Sequence, residues 1–127
     1  MTPMEAVFQT SPKCGLTWEQ FCTVFADCEF EAITDNGEMI GGVMYRGSEV
    51  HLGVLRSPQG CVARKIFRHI VTKVMNRYGV VTALIPLRCA EYAEKLKRFG
   101  FVEQSRDDIK IELTMEEIPS WVSKRLA

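Results

Sequence analysis

Residues 49–85, EVHLGVLRSPQGCVARKIFRHIVTKVMNRYGVVTALI, change hydrophobic period twice, and that change decides the fold. Residues 49–55 read as a strand. Gly53 inside it marks a bulge or a close backbone approach. A turn-rich loop follows, Arg56-Ser57-Pro58-Gln59-Gly60. From Val62 the apolar residues Ile66, Phe67, Ile70, Val71, Val74, Met75 and Tyr78 recur at i, i+3, i+4, which predicts an amphipathic helix stopped by Gly79. Residues 80–85 are a short, mostly apolar run, expected as a buried central strand that Pro86 ends. A strand–helix–strand unit of this kind predicts a right-handed crossover between parallel strands.

Working outward, Asp35-Asn36-Gly37 is a hairpin turn, because Asn and Gly accept positive φ cheaply. It joins strands at 29–34 and 39–45, and Arg46-Gly47-Ser48 turns the chain into 49–55. Upstream, Thr17 with Gln20 forms a capping-box pattern ahead of Trp18, Phe21, Cys22, Val24, Phe25 and Cys28, predicting one helix. Residues 4–9 are expected to be a first strand. Downstream, Cys89, Tyr92, Ala93, Leu96 and Phe99 share a helix face, with Glu91–Lys95 and Glu94–Arg98 as i, i+4 pairs opposite and Gly100 as the stop. Residues 101–105 and 109–113 form a last hairpin, and the tail after it holds a short helix. The expected order is β-α-βββ-α-β-α-ββ, an α+β class with a mixed sheet. The absence of repeats or linkers gives a single domain over 1–127, with its core at 29–113 and a tail at 114–127.

The composition suits one soluble globular domain: 127 residues, 46% apolar and 25% charged, with 16 basic residues against 16 acidic. No apolar run reaches the roughly 18 residues of a membrane span. The N-terminal residues lack the charge and apolar core of a secretory signal, so a cytoplasmic location is expected. Five cysteines form no C-x-x-C and accompany only His51 and His69, so no metal site is expected. They read as reduced thiols, mostly small apolar fillers.

The zero net charge hides an asymmetry. No Asp or Glu occurs between Val50 and Ala90, while Arg56, Arg64, Lys65, Arg68, Lys73, Arg77 and Arg88 make that stretch +7 and leave the rest −7. Such a block marks either an anion site or a solvated basic face. The loop at 56–65 opens a helix, where free N–H groups and the helix dipole favour an anion. Small residues at Gly60, Cys61 and Ala63 allow close approach. Arg64 and Lys65 stand in the first turn, where cations are normally unfavourable and where a bound phosphate would relieve them.

This strand–loop–helix–strand–helix run, ending in Leu96-Lys97-Arg98-Phe99-Gly100-Phe101, resembles the GNAT superfamily of acetyl-CoA-dependent N-acyltransferases over about residues 29–113. The resemblance implies that Gln59, Gly60, Cys61, Val62, Ala63, Arg64 and Lys65 hold the pyrophosphate of acetyl-CoA, with strand amides near Val54 and Leu55 beside the thioester. The family's loop pattern R/Q-x-x-G-x-G/A is matched here at Ala63, while Pro58 and Cys61 stand at its R/Q and first glycine. Leu96 stands where the family usually has the tyrosine that protonates the thiolate, and Cys89 where an asparagine often opens the helix. Small GNAT-like proteins of tailed bacteriophages resemble this pattern, including the apolar residue at the tyrosine position. Some of those look like virion or host-interaction proteins.

The substitutes are few. His51 titrates near neutrality and is a candidate base, against the alternative of a half-buried strand histidine. Glu49 is a second candidate. Tyr92, one turn before Leu96, is a candidate acid, against a role in packing. An acyl-cysteine at Cys61 or Cys89 has no histidine placed in sequence to activate it. The leading expectation is an acetyl-CoA-binding N-acetyltransferase acting on a small-molecule or protein amine. Its alternative is a GNAT-fold structural or interaction protein without turnover, of phage origin. A nucleic-acid contact is disfavoured, because Phe67, the aromatic among these cations, belongs to the apolar helix face and is not a stacking residue between them. No membrane partner is expected, and a homodimer stays open.

Overall fold

The computed structural model describes residues 1–10, 15–58 and 61–117, apart from the side chain of Arg88. The elements are α1 (Pro3–Thr10), α2 (Trp18–Val24), β1 (Glu29–Asp35), β2 (Glu38–Arg46), β3 (Glu49–Val54), α3 (Val62–Tyr78), β4 (Val81–Pro86), α4 (Ala90–Arg98), β5 (Val102–Arg106) and β6 (Lys110–Met115). A 3-10 turn, Leu87–Cys89, leads into α4. The α+β class holds. The chain divides into two compact units, Met1–Ile66 and Phe67–Ala127, and the division falls inside α3.

The first element departs from expectation: residues 4–9 belong to a helix. Thr2 and Glu5 form a reciprocal cap, Glu5 N–H to Thr2 Oγ1 and Thr2 N–H to Glu5 Oε1, both 3.1 Å. Pro3 occupies the first helical position, where its missing N–H costs nothing. Met4, Val7 and Phe8 then lie at helical spacing and pack into the cluster of Val7, Phe21 and Met44. The second helix has the expected box, Thr17 with Gln20, but ends at Val24, with Phe25 as its cap.

In the first unit β1, β2 and β3 form an antiparallel meander. Asn36 and Gly37, at φ of 54° and 81°, make the two-residue turn between Asp35 and Glu38. Strand alternation puts Met44, Gly42 and Gly53 on the face that α1 covers. Gly42 and Gly53 are direct partners across β2 and β3. A Cβ on Gly42 would run into the Pro3 backbone, and one on Gly53 would meet Thr10 Oγ1 and stand 2.8 Å from Val7 Cα. The close approach expected at Gly53 is therefore a helix lying directly on strand backbone.

The second unit places its strands in the order β4-β6-β5, antiparallel. β4 alternates, with Val81, Ala83 and Ile85 buried, and is not buried throughout as its apolar run suggested. Ile70, Val71 and Val74 form the buried stripe of α3, and Gly79 at φ 75° ends the helix. The end of α4 is a Schellman motif: Phe101 N–H donates to Leu96 O and Gly100 N–H to Lys97 O. The two phenylalanines flanking Gly100 pack against Phe67 of α3, Phe99 tilted at 4.9 Å and Phe101 edge-on at 6.1 Å.

The ion pairs on α4 also differ from the expected i, i+4 set. Lys97 pairs with Glu94 and Glu103, each at 3.0 Å, and Arg106 reaches Glu103 at 2.7 Å. The Arg106 hydrogen bond, helped by Lys97, holds the Glu103 carboxyl down at about 2. A carboxyl depressed on folding contributes stability above its unfolded pKa and loses it as pH falls toward the folded value. The contribution of Glu103 should therefore be intact at neutral pH and disappear between about pH 4.5 and 2. NMR titration of its side-chain carboxyl should show a midpoint near 2, and Glu103→Gln should move it out of the titration while lowering the melting point only above that window.

Candidate functional site

At the end of β3 the amides of Leu55 and Arg56 both donate to the carbonyl of Ile40, at 2.8 and 3.3 Å. Val54 and Leu55 are 45% and 42% exposed, an apolar stretch that folding leaves uncovered. Ser57 and Pro58 continue the loop, and Gln59 and Gly60 lie outside the described residues. Cys61 accepts from Lys65 N–H at 3.2 Å and so closes the first turn of α3. The amides of Val62, Ala63 and Arg64 precede that bond and have no partner within the helix. No acidic residue occupies the first turn. Cys61, Ala63, Arg64 and Lys65 are exposed there and Val62 is half-buried. Free N–H groups, the helix dipole and two cations thus concentrate positive potential at one exposed point, beside small side chains that leave the backbone open.

The two candidate bases come together. His51 Nε2 lies 3.5 Å from Glu49 Oε2, and both side chains are about one-third exposed. The pair follows from strand alternation, since residues two apart share a face. That face is also Gly53's, the one α1 covers. Val54, an odd number of residues away, points to the other. The strand therefore does not bring His51 and Val54 to one surface.

Tyr92 belongs to the second unit. It lines an open cavity of about 310 Å³ together with Cys89, Ala90, Glu91 and Lys95. Burial pushes its phenol up, so it keeps its proton well above neutrality. Leu96, one turn on, is buried. Cys61 and Cys89 are exposed thiols at the starts of α3 and α4 and do not act as core fillers, which corrects that expectation for these two. Among the described residues no group of His, Cys, Asp or Glu could hold a metal, and no helix is long and apolar enough to cross a membrane.

Two features escaped the sequence reading. Arg56 is held by Asp35 and Glu38, at 3.7 and 3.2 Å. Tyr45 donates to Glu31 Oε1 at 2.7 Å, and burial pushes that phenol far up, making it a neutral donor in the sheet. Both depend on cross-strand register, which no local pattern encodes.

No family model matches the sequence. No curated protein matches it. Solved structures do: a GNAT family acetyltransferase from Elizabethkingia anophelis, determined with acetyl-CoA bound, superposes with a TM-score of 0.67 at 14% identity, covering 92% of each chain. The chain has the GNAT fold. A Bordetella pertussis protein assigned to the same family gives a TM-score of 0.60 at 20% identity, covering 87% of this chain and 86% of its own.

Proposed function

We propose that the chain is an acetyl-CoA-dependent N-acetyltransferase acting on an amine. The observation that carries this reading is the acid-free start of α3, with Arg64 and Lys65 exposed beside open backbone amides. The GNAT fold supports it, as does the neighbour that holds acetyl-CoA. The residues present fit such a ligand. Amides of Cys61 to Arg64 suit a pyrophosphate, and exposed Val54 and Leu55 suit an apolar arm running from it. Bound acetyl-CoA supplies an activated thioester carbonyl and a thiolate leaving group.

Transfer then has three requirements. The thioester carbonyl needs a polarising N–H, and since the amides of Leu55 and Arg56 are engaged by the Ile40 carbonyl, that of Val54 is the proposed donor. The attacking amine must lose a proton, and this goes to solvent, because the His51–Glu49 pair lies on the opposite strand face from Val54. The departing thiolate must gain one, again from solvent. The buried Leu96, where the family usually has its tyrosine, favours a second reading in which acetyl-CoA binds without turnover.

Calorimetry with acetyl-CoA tests the proposal. Wild type should bind. Arg64→Ala should weaken binding by about 1–3 kcal/mol through a lost charged hydrogen bond, and Ala63→Phe should weaken it further by crowding the amides. An absence of heat at millimolar ligand by a folded protein would sink the acetyltransferase reading. Binding without transfer to any polyamine, peptide or aminoglycoside would select the second reading.

A further inference from the structure

Leu55 N–H and Arg56 N–H both donate to Ile40 O, so two residues at the end of β3 face one of β2, the pattern of a β-bulge. Ile40 and Leu55 are thus a hydrogen-bonded pair. The next pair inward, Gly41 with Val54, is then a non-hydrogen-bonded one, whose N–H groups point away from the partner strand. The Val54 amide is therefore turned toward the edge of β3 that β2 does not occupy, and its side chain is exposed. Gly41 lies on the inner side of this pair. Its φ is not positive, so conformation does not require glycine there. What it lacks is room. A Cβ on Gly41 would fall on Gly53 O and stand 3.1 Å from Val54 Cα and 3.2 Å from Gly53 C. All three atoms belong to the Gly53–Val54 peptide unit. That unit is planar, so its C=O and N–H point in opposite directions and turn together. The carbonyl leans over Gly41, and the Val54 N–H points away from it. On the other face α1 holds Gly53, where a Cβ would meet Thr10 Oγ1 and Val7 Cα. The peptide is confined by α1 on one side and backs into the space that Gly41 leaves on the other.

We propose that Gly41 is a positioning residue for acyl transfer. By lacking a side chain it lets the Gly53–Val54 peptide keep the tilt that aims the Val54 N–H at the thioester carbonyl. This rests on the acetyl-CoA reading, in which Val54 supplies that donor. Backbone does not move aside as the end of a long side chain does, so a larger residue at 41 rotates the plane and swings the N–H with it. A hydrogen bond to the developing oxyanion depends on direction as well as distance. The pyrophosphate contacts proposed at Cys61 to Arg64 do not involve this peptide. The defect therefore falls on turnover and leaves binding nearly intact.

Gly41→Ala should lower kcat by about ten- to a hundredfold while the calorimetric Kd for acetyl-CoA stays within about threefold. In wild type the Val54 amide proton should shift on adding acetyl-CoA and shift less on adding CoA, which has no acyl carbonyl. In Gly41→Ala the Val54 signal should be displaced without ligand, and the difference between the two ligands should vanish. Gly42→Ala, whose Cβ points to the opposite face, is the destabilised control and should keep both kcat and the Val54 response. An unmoved Val54 signal or an unchanged kcat in Gly41→Ala would overturn the proposal. So would an equal loss of kcat in Gly42→Ala, which would reduce the effect to stability. Should Gly41→Ala fail to fold, residual dipolar couplings of the wild-type 53–54 peptide decide: a carbonyl turned away from Gly41 overturns the proposal, and one leaning over it, with the Val54 response intact, upholds it. Where acetyl-CoA binds without turnover, the Val54 response replaces kcat as the deciding result. If wild type binds no acetyl-CoA, the reading of the site fails, and the ligand-free Val54 shift still tells whether Gly41 sets the peptide plane.

Discussion

Ile70→Asp should destabilise the protein by several kcal/mol at neutral pH. Ile70 is 4% exposed and sits on the inner stripe of α3 beside Val71 and Val74. The substitution removes an apolar side chain worth about 2–3 kcal/mol of burial. It also places an unpaired carboxylate in its stead, which raises the expected total to about 4–5 kcal/mol or more. Domains of this size are stable by roughly 5–15 kcal/mol, so between about a third and all of the margin disappears. Ile70→Val keeps the chemistry and should cost only about 0.5–1.5 kcal/mol. Urea unfolding followed by circular dichroism measures both. A melting point unchanged in the aspartate variant would mean that the buried stripe of α3 lies elsewhere.

That stripe was legible because a 17-residue helix repeats its signal several times over. The hairpin at Asn36-Gly37 was legible for a different reason: positive φ at two consecutive positions leaves few residue choices. Short elements carry neither advantage. The eight residues of α1 offer scarcely two turns of periodicity. Their decisive signal, Thr2-Pro3 with Glu5, sits ahead of the apolar residues and is easily outweighed by them. Residues 25–28 continue the apolar spacing of α2 on paper, yet Phe25 leaves the helix and Cys28 N–H turns back to Phe25 O at 3.1 Å. Nothing local to that segment marks the stop.

The candidate site divides in the same way. Its start-of-helix chemistry is local, because the missing carboxylates and the paired cations Arg64 and Lys65 can be counted along the chain. Exposure is not local. Cys89 shares the apolar face of its helix in the sequence and proves to be exposed at the helix start. The basic block also looked uniform, and only the register of β1 on β2 brings Asp35 and Glu38 together beneath Arg56. Charge counting overstated the free positive charge near the loop, since Arg56 is engaged by Asp35 and Glu38. The face of His51 was open to sequence reasoning, since alternation along β3 fixes it relative to Val54, but which face α1 would cover was not.

Gly53→Ala should detach α1 from the sheet. Gly53 has no φ that demands glycine; what it lacks is room. A methyl there meets Thr10 Oγ1, 2.8 Å from Val7 Cα and 3.0 Å from Ala6 O. Thr10 cannot simply rotate away, because its hydroxyl is bonded to the Ala6 carbonyl at 2.7 Å. Helix backbone does not give as a flexible side chain does, so α1 must lift as a body. Lifting it loosens the packing of Val7 and Phe8 on Phe21, and the expected loss is about 2–4 kcal/mol, overpacking plus lost burial. Gly42→Ala should act alike, since its Cβ would strike Pro3 at the other end of the same helix. The double variant should then cost clearly less than the two losses combined, because a helix already lifted clears both sites at once. Strict additivity in denaturant unfolding would show that the two glycines answer to separate local adjustments and that α1 does not move as one piece.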